Sequence, residues 1–175
     1  MYSIRLTTIM ADVNLDEKDF EILRWLDREG DVDLGVDELS DKLGISPSTV
    51  YYRIEKYREQ GIVTGKVPQL DRKELGLNLT VISEIKSEYG PGYDDIGERL
   101  SNISGVQTAY FMVGEKSFIL IAHLRDHDHL QQFIDDIIHT DGVAHSATNI
   151  VLKTFKDEPR LLVNYDDEDL EALRS

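Results

Sequence analysis

The sequence predicts an α+β fold in two parts, three short helices followed by a β-α-β-β-α-β order. Two observations predict it. Apolar residues keep helical spacing up to about Gln60 and take near-alternating spacing from Leu79 onward. Breaks at Gly44-Ile45, Gly61, Gly90-Pro91-Gly92, Gly114 and Asp141-Gly142 then divide the chain into segments of helix or strand length.

Residues 1–13 read as an extension. Met1 to Met10 contains apolar residues, but Arg5 interrupts them and no small-residue cleavage site follows, so this is not a signal peptide. Met10 followed by Ala11 is a second candidate start. A helical domain spans 14–61. Its first helix runs from Asp16 to Arg28, with Phe20, Ile22, Leu23 and Leu26 on the apolar side, Trp25 flanking them and Gly30 ending it. A second helix fits Val36 to Leu43, with Leu39 and Leu43 at i, i+4 and Asp37 and Glu38 in the first turn. After the Gly44-Ile45 turn, Ser46 can cap a third helix. Pro47 suits its first position because the missing N–H loses nothing there. That helix runs to about Gln60, and Gly61 takes the left-handed residue beyond its end.

On the third helix Val50, Ile54 and Tyr57 form the packing stripe, while Ser48, Thr49, Tyr52, Arg53 and Lys56 face away. Two helices joined by a tight glycine turn, the second opening with hydroxyl residues and carrying Arg and Lys, form a helix-turn-helix pattern. Its hydroxyls and helix N-terminus suit phosphate oxygens, and an exposed arginine can reach base edges in a major groove. A plain three-helix packing module would show the same helices without the cationic face.

Residues 62–78 read as a linking strand, Ile62 to Leu70, and a hinge punctuated by Gly76. The second domain spans 79–156. Strands are expected at Leu79 to Lys86, Val106 to Val113, Ser117 to Leu124 and Ala147 to Phe155. One helix follows Gly92, with Tyr93, Ile96, Leu100 and Ile103 at helical spacing. Another, capped by Asp126, buries Leu130, Phe133, Ile134, Ile137 and Ile138. This order is the ferredoxin-like arrangement, with both helices on one sheet face and the other face left for dimerisation. Residues 157–175 form an acidic tail, of which Leu161-Leu162-Val163 is expected to pack on the second domain while Asp166 onward stays solvated.

The 175 residues carry no cysteine, which excludes disulfides, thiolate metal sites and a cysteine nucleophile. No apolar run is long enough to cross a membrane, so a soluble, cytoplasmic protein is expected. The net charge is −15, with 20 Asp against 14 Glu. Such acidity repels itself at low salt and is screened in molar salt, as in proteins of salt-accumulating halophiles. The window from Ser40 to Lys73 nevertheless carries +3, against −18 for the remainder. A polyanionic partner for this segment explains the contrast.

The ordered motifs resemble the Lrp/AsnC (feast/famine) family of transcription regulators. They are Leu15-Asp16-x-x-Asp19-x-x-Ile22-Leu23, Leu39-Ser40-x-x-Leu43-Gly44-Ile45-Ser46, Ser48-Thr49-Val50-x-x-Arg53-Ile54, Gly61-Ile62-Val63 and Leu75-Gly76, within a resemblance covering about 14–156. With the acidity, the resemblance implies a haloarchaeal source. It implies a winged-type helix-turn-helix that binds double-stranded promoter DNA through Ser46, Ser48, Thr49, Tyr51, Tyr52, Arg53 and Lys56. It also implies a second, RAM (regulation of amino-acid metabolism) domain that forms a homodimer, assembles further up to an octamer and takes an amino-acid or other small effector. In the family the turn after the second RAM strand reads Gly-x-x-Asp and lines a pocket between dimers. Here it reads Gly114-Glu115-Lys116-Ser117, which removes an acidic partner for an effector's ammonium group. Thr148 and Asn149 are further candidate pocket residues. No cofactor is expected.

A sirohaem decarboxylase resembles the same two-domain architecture, which gives an enzyme as the rival reading. It would need His or Arg for tetrapyrrole acetates, and His123, Arg125 and His145 are the candidates. The retained cationic recognition helix argues against it. His127 and His129 lie two apart on a helix and so do not converge on a metal. The pairs Asp94-Asp95 and Asp135-Asp136 read as solvated helix faces, and no catalytic residue is assigned.

Overall fold

The fold is described from a computed structural model, covering residues 15–29, 35–65, 68–88 and 92–172. The extension 1–13, with its two candidate starts, and Gly30 lie outside the described residues. The chain divides into two compact units. One comprises residues up to Pro68 together with Asp157 onward, and the other comprises Gln69–Lys156.

In the first unit, helices α1 (Glu17–Glu29), α2 (Val36–Leu43) and α3 (Pro47–Glu59) close on a core of Ile22, Leu23, Leu39, Val50, Ile54 and Tyr57. The local signals act as the sequence implies. The Ser46 side chain caps α3 by accepting from the Thr49 N–H, and Pro47 opens the helix. Gly44, at φ +60°, ends α2 in the left-handed region that a side chain disfavours, so the α2–α3 turn stays tight. The described residues of 62–70 form no strand. Ile62 and Val63 instead pack against the helical core, which draws the chain off the extended path expected of it.

The tail also departs from expectation. It belongs to the first unit and not to the second domain. Leu162, in a 3-10 turn over Leu162–Asn164, packs against the helical core. Asp167–Ala172 forms a further short helix that the sequence does not signal, and its Leu170 is buried. Leu162 packs and Leu170 is buried, while Asp166, Asp167, Glu168, Asp169 and Glu171 stay exposed as expected.

The second unit is a four-stranded antiparallel sheet in the order β2-β3-β1-β4, with β1 at Leu79–Ser87, β2 at Val106–Phe111, β3 at Phe118–Leu124 and β4 at Val143–Ile150. Helices α4 (Tyr93–Ser101) and α5 (His127–Ile138) cover one face. Ile96, Leu100, Leu130, Phe133 and Ile137 pack there on Val81, Ile85, Phe118, Leu120, Ala122 and Leu124. Asp126 caps α5 by accepting from the His129 N–H at 2.9 Å, as its position implies. Ile138 turns outward, because α5 buries 130, 133 and 137 and the next residue falls off that stripe.

β4 begins and ends earlier than the apolar pattern suggests. Its pairing with β1 runs from Val143 opposite Ser87 to Ile150 opposite Val81. Leu152 and Phe155 lie beyond it, 97% and 88% exposed. The opposite sheet face bears Ile82, Ile119, Ile121 and Tyr110, and neither α4 nor α5 packs on it. Leu120, fully buried at the centre of the helix-covered face, should lose about 2–5 kcal/mol of stability as Leu120→Ala. Thermal unfolding followed by circular dichroism checks this, and a change below about 1 kcal/mol would contradict the packing described.

Candidate nucleic-acid interface and effector residues

α3 buries one side and presents another. Val50, Ile54 and Tyr57 are at most 1% exposed and anchor the helix. Ser48, Tyr52 and Lys56, spaced by four, and Ser46 at the cap lie at the surface, with Thr49 half-buried beside them. Ser46 Oγ lies 2.8 Å from both Ser48 Oγ and Thr49 Oγ1, which gathers three hydroxyls at the α3 N-terminus. Tyr52 is 71% exposed and Tyr51 40%. A helix N-terminus, three hydroxyls, a projecting phenol and a lysine form a face that can donate to phosphate oxygens and reach base edges.

Arg53 is the exception and corrects the sequence reading. It was expected on the exposed face, but its Nη1 donates to Asp16 Oδ1 at 2.7 Å and to Asp19 Oδ1. Its side chain is only 22% exposed. The two carboxylates are themselves prepared for it. The Asp16 N–H donates to Asp19 Oδ2 at 2.8 Å and the Asp19 N–H to Asp16 Oδ1 at 2.7 Å, a reciprocal cap on α1. Tyr57 Oη donates to the same Asp19 oxygen. The hydrogen bond from Arg53, and after it the Asp19 N–H, hold Asp16 down to about 2 against the opposing effect of desolvation. Burial first, and then the Asp19 carboxylate, push the Tyr57 phenol well above its ordinary value. Arg53 therefore ties the start of α1 to the middle of α3. The signal was present in the sequence, in two aspartates three apart at the start of a helix, but it reads equally as an ordinary acidic first turn.

The effector candidates divide into separate places. Gly114, Glu115 and Lys116 form the β2–β3 turn, with Lys116 Nζ 3.7 Å from Glu84 Oε2. Ser117 closes that turn, and its Oγ accepts from Ser87 Oγ at 2.8 Å and from the Ser87 N–H at 3.2 Å. Thr148, across β1, shares a 2.8 Å hydrogen bond with the buried Ser83 hydroxyl. Asn149 follows it in β4 and so faces the opposite side of the sheet. The structure thus brings Gly114–Ser117 together and leaves Thr148 and Asn149 apart from them and from each other. A shallow cavity of about 230 Å³ sits at the α5–β4 corner, lined by Ile138, Val143, Ala144, His145 and Ser146, and contains none of these candidates.

The residues offered for the enzyme reading do not converge either. His123 pairs with Thr80 and His145 with Lys86, six positions apart along β1, or about 20 Å of strand. His123 is buried among Thr80, Gln107 and Arg72, with Thr80 Oγ1 at 3.1 Å from Nδ1 and Arg72 Nη1 at 2.9 Å from Nε2. Arg125 is exposed after β3. Among the described residues no three His, Asp or Glu side chains are grouped to hold a metal ion, and no helix is long and apolar enough to cross a membrane.

Comparison with known proteins accords with both units. Residues 15–64 match the family model described as winged helix-turn-helix DNA-binding, and residues 80–161 match that of the Lrp/AsnC ligand binding domain. The chain is 30% identical over 149 residues to an uncharacterized HTH-type transcriptional regulator of Pyrococcus furiosus, covering 85% of this chain and 99% of that protein. It is 30% identical over 152 residues to the regulatory protein AsnC of Haemophilus influenzae, covering 82% and 98%. A transcriptional regulator of Neisseria meningitidis, solved as an L-Met complex, superposes with a TM-score of 0.77 at 25% identity, covering 86% of this chain and 97% of that one.

The lowered Asp16 pKa carries a pH dependence. Ionised Asp16 contributes stability that is present in full above its unfolded value near 4 and is lost as the pH falls toward about 2. Asp16→Asn should therefore lose less stability than the wild type over that interval. Urea-unfolding midpoints at successive pH values test this, and identical acid limbs would refute the pairing.

Proposed function

This chain belongs to the Lrp/AsnC family of transcription regulators, and from that premise we propose how it contacts its DNA and effector. It is a DNA-binding regulator with a helix-turn-helix unit and an Lrp/AsnC ligand-binding domain. Ser46, Ser48, Thr49, Tyr51, Tyr52 and Lys56 form the DNA-facing surface, with the α3 N-terminus entering the major groove. The observation that carries this reading is the exposed hydroxyl, tyrosine and lysine face on a helix whose other side is fully buried. Arg53 acts as a positioning residue that sets the angle of α3 on α1.

The sheet face away from α4 and α5 forms the homodimer, and two-fold symmetry matches a palindromic operator. A small effector, an amino acid being the class bound by the Neisseria protein, occupies a pocket completed between dimers beside Gly114–Ser117. Ser117 brings a hydroxyl, already accepting from Ser87, where the family has a carboxylate. Ammonium recognition there is consequently weaker, and Glu115 is the exposed carboxylate nearest in sequence. The wide separation of His123 and His145 supports a regulator over an enzyme.

Selection from a random duplex pool by the purified protein in 1 M KCl should enrich a palindrome. A pool without enrichment would remove the DNA-binding reading. Lys56→Ala should weaken binding about uniformly across sequences and reduce the salt slope by about 1. Asp19→Asn separates the two roles open to Arg53. Loss of the Asp19 carboxylate, which leaves Asp16 alone to hold Arg53, should weaken specific binding about tenfold if Arg53 positions α3, since a few degrees of tilt disturb several base contacts of about 1–3 kcal/mol each. Tighter binding would mean that the released Arg53 contacts DNA directly. Fluorescence anisotropy titration of the selected duplex measures both variants.

A further inference from the structure

The C-terminal segment is built onto the DNA-binding unit by specific contacts. The Asp27 carboxylate, near the end of α1, accepts from the backbone N–H groups of Leu161 at 2.9 Å, Leu162 at 2.7 Å and Val163 at 3.2 Å. Leu162 packs against the helical core, and Leu170 is 5% exposed. Arg24 Nη1 lies 3.0 Å from Asp167 Oδ1. Asp166 Oδ1 accepts from the Asp169 N–H at 2.9 Å and so starts the last helix. An anchor, two apolar contacts and an ion pair hold a segment that extends beyond the matched ligand-binding domain.

Its charge is what makes the placement consequential. Residues 157–172 carry seven acids against one base, Arg160, and that base is paired with Glu158. Glu168, Asp169 and Glu171 are exposed and are not needed as side chains for any of the docking contacts above. The same unit carries α3 and the larger part of the cationic window, with five bases against three acids between Ser40 and Pro68. We infer that residues 157–172 form an acidic cover, docked on α1, that suppresses sequence-independent DNA binding by the helix-turn-helix unit.

The physical basis is the range of the repulsion. Non-specific attraction comes from phosphates and cationic side chains, and it falls with salt through counterion release. A fixed cluster of carboxylates on the same unit opposes it wherever the Debye length reaches the duplex, about 8 Å at 0.15 M salt and about 3 Å at 1 M. Base-edge contacts made inside the groove are less affected, so the cover raises the ratio of specific to non-specific binding most at low salt.

This inference rests on the DNA-binding reading. The test uses the full chain with Glu168→Gln, Asp169→Asn and Glu171→Gln together, titrated with a random-sequence duplex. At 0.15 M KCl the triple variant should bind about threefold to tenfold more tightly than the wild type, and at 1 M the two should coincide. Each single substitution should give part of the gain, so the outcome does not depend on the triple variant folding. Equal or weaker binding by the variants at 0.15 M, with the wild type binding, would overturn the cover alone. Absence of duplex binding by every protein at both salts would overturn the DNA-binding reading with it.

Discussion

The exposed residues of α3 depend on how α3 is seated on α1, and the seat includes an ion cluster at its middle. Arg53 reaches across to Asp16 and Asp19, and Tyr57 donates to the same Asp19 oxygen. Tyr57 belongs both to this cluster and to the apolar core with Val50 and Ile54, so α3 is held by polar and apolar contacts together. A partly exposed charge pair contributes little energy by itself. Here the reciprocal cap of α1 orders both carboxylates before the arginine arrives, which lowers the cost of holding the geometry. The gain is chiefly orientational.

The second unit solves a different problem. Helices α4 and α5 cover one side of its sheet, and two serines, Ser83 and Ser87, sit on that side of β1 where aliphatic residues would be expected. Each is matched by a hydroxyl on a neighbouring element, Thr148 and Ser117. Among the described residues every buried side-chain nitrogen and oxygen has a partner. Paired hydroxyls cost little inside a core, whereas replacing one of a pair strands the other. Those two pairs also link β1 to β4 and to the β2–β3 turn, so the strand at the centre of the sheet is tied by side chains as well as by its ladder.

Much of this was legible in the sequence because local chemistry decided it. Ser46, Pro47, Gly44 and Asp126 each do what their residue type does best, and the change from helical to alternating period separates the two units. The errors arose where distant packing decided. Ile62 and Val63 look like strand residues but are claimed by the helical core. Leu152 and Phe155 extend an apolar pattern past Ile150, although β1 offers them no partner. Arg53 carried the right charge in the right helix, and only the position of Asp16 and Asp19 in space shows that the charge is engaged. The Asp27 anchor left no trace in the sequence, because its partners are backbone N–H groups that every residue but proline carries.

Trp25 is the only tryptophan of the chain, and it packs against the core of the helical unit, as Leu162 does. A single indole confined to one unit makes the intact protein its own optical instrument. Its emission follows the helical unit without labels, while the eight tyrosines are spread along the chain. Excitation at the red edge of the aromatic band therefore observes the helical unit alone.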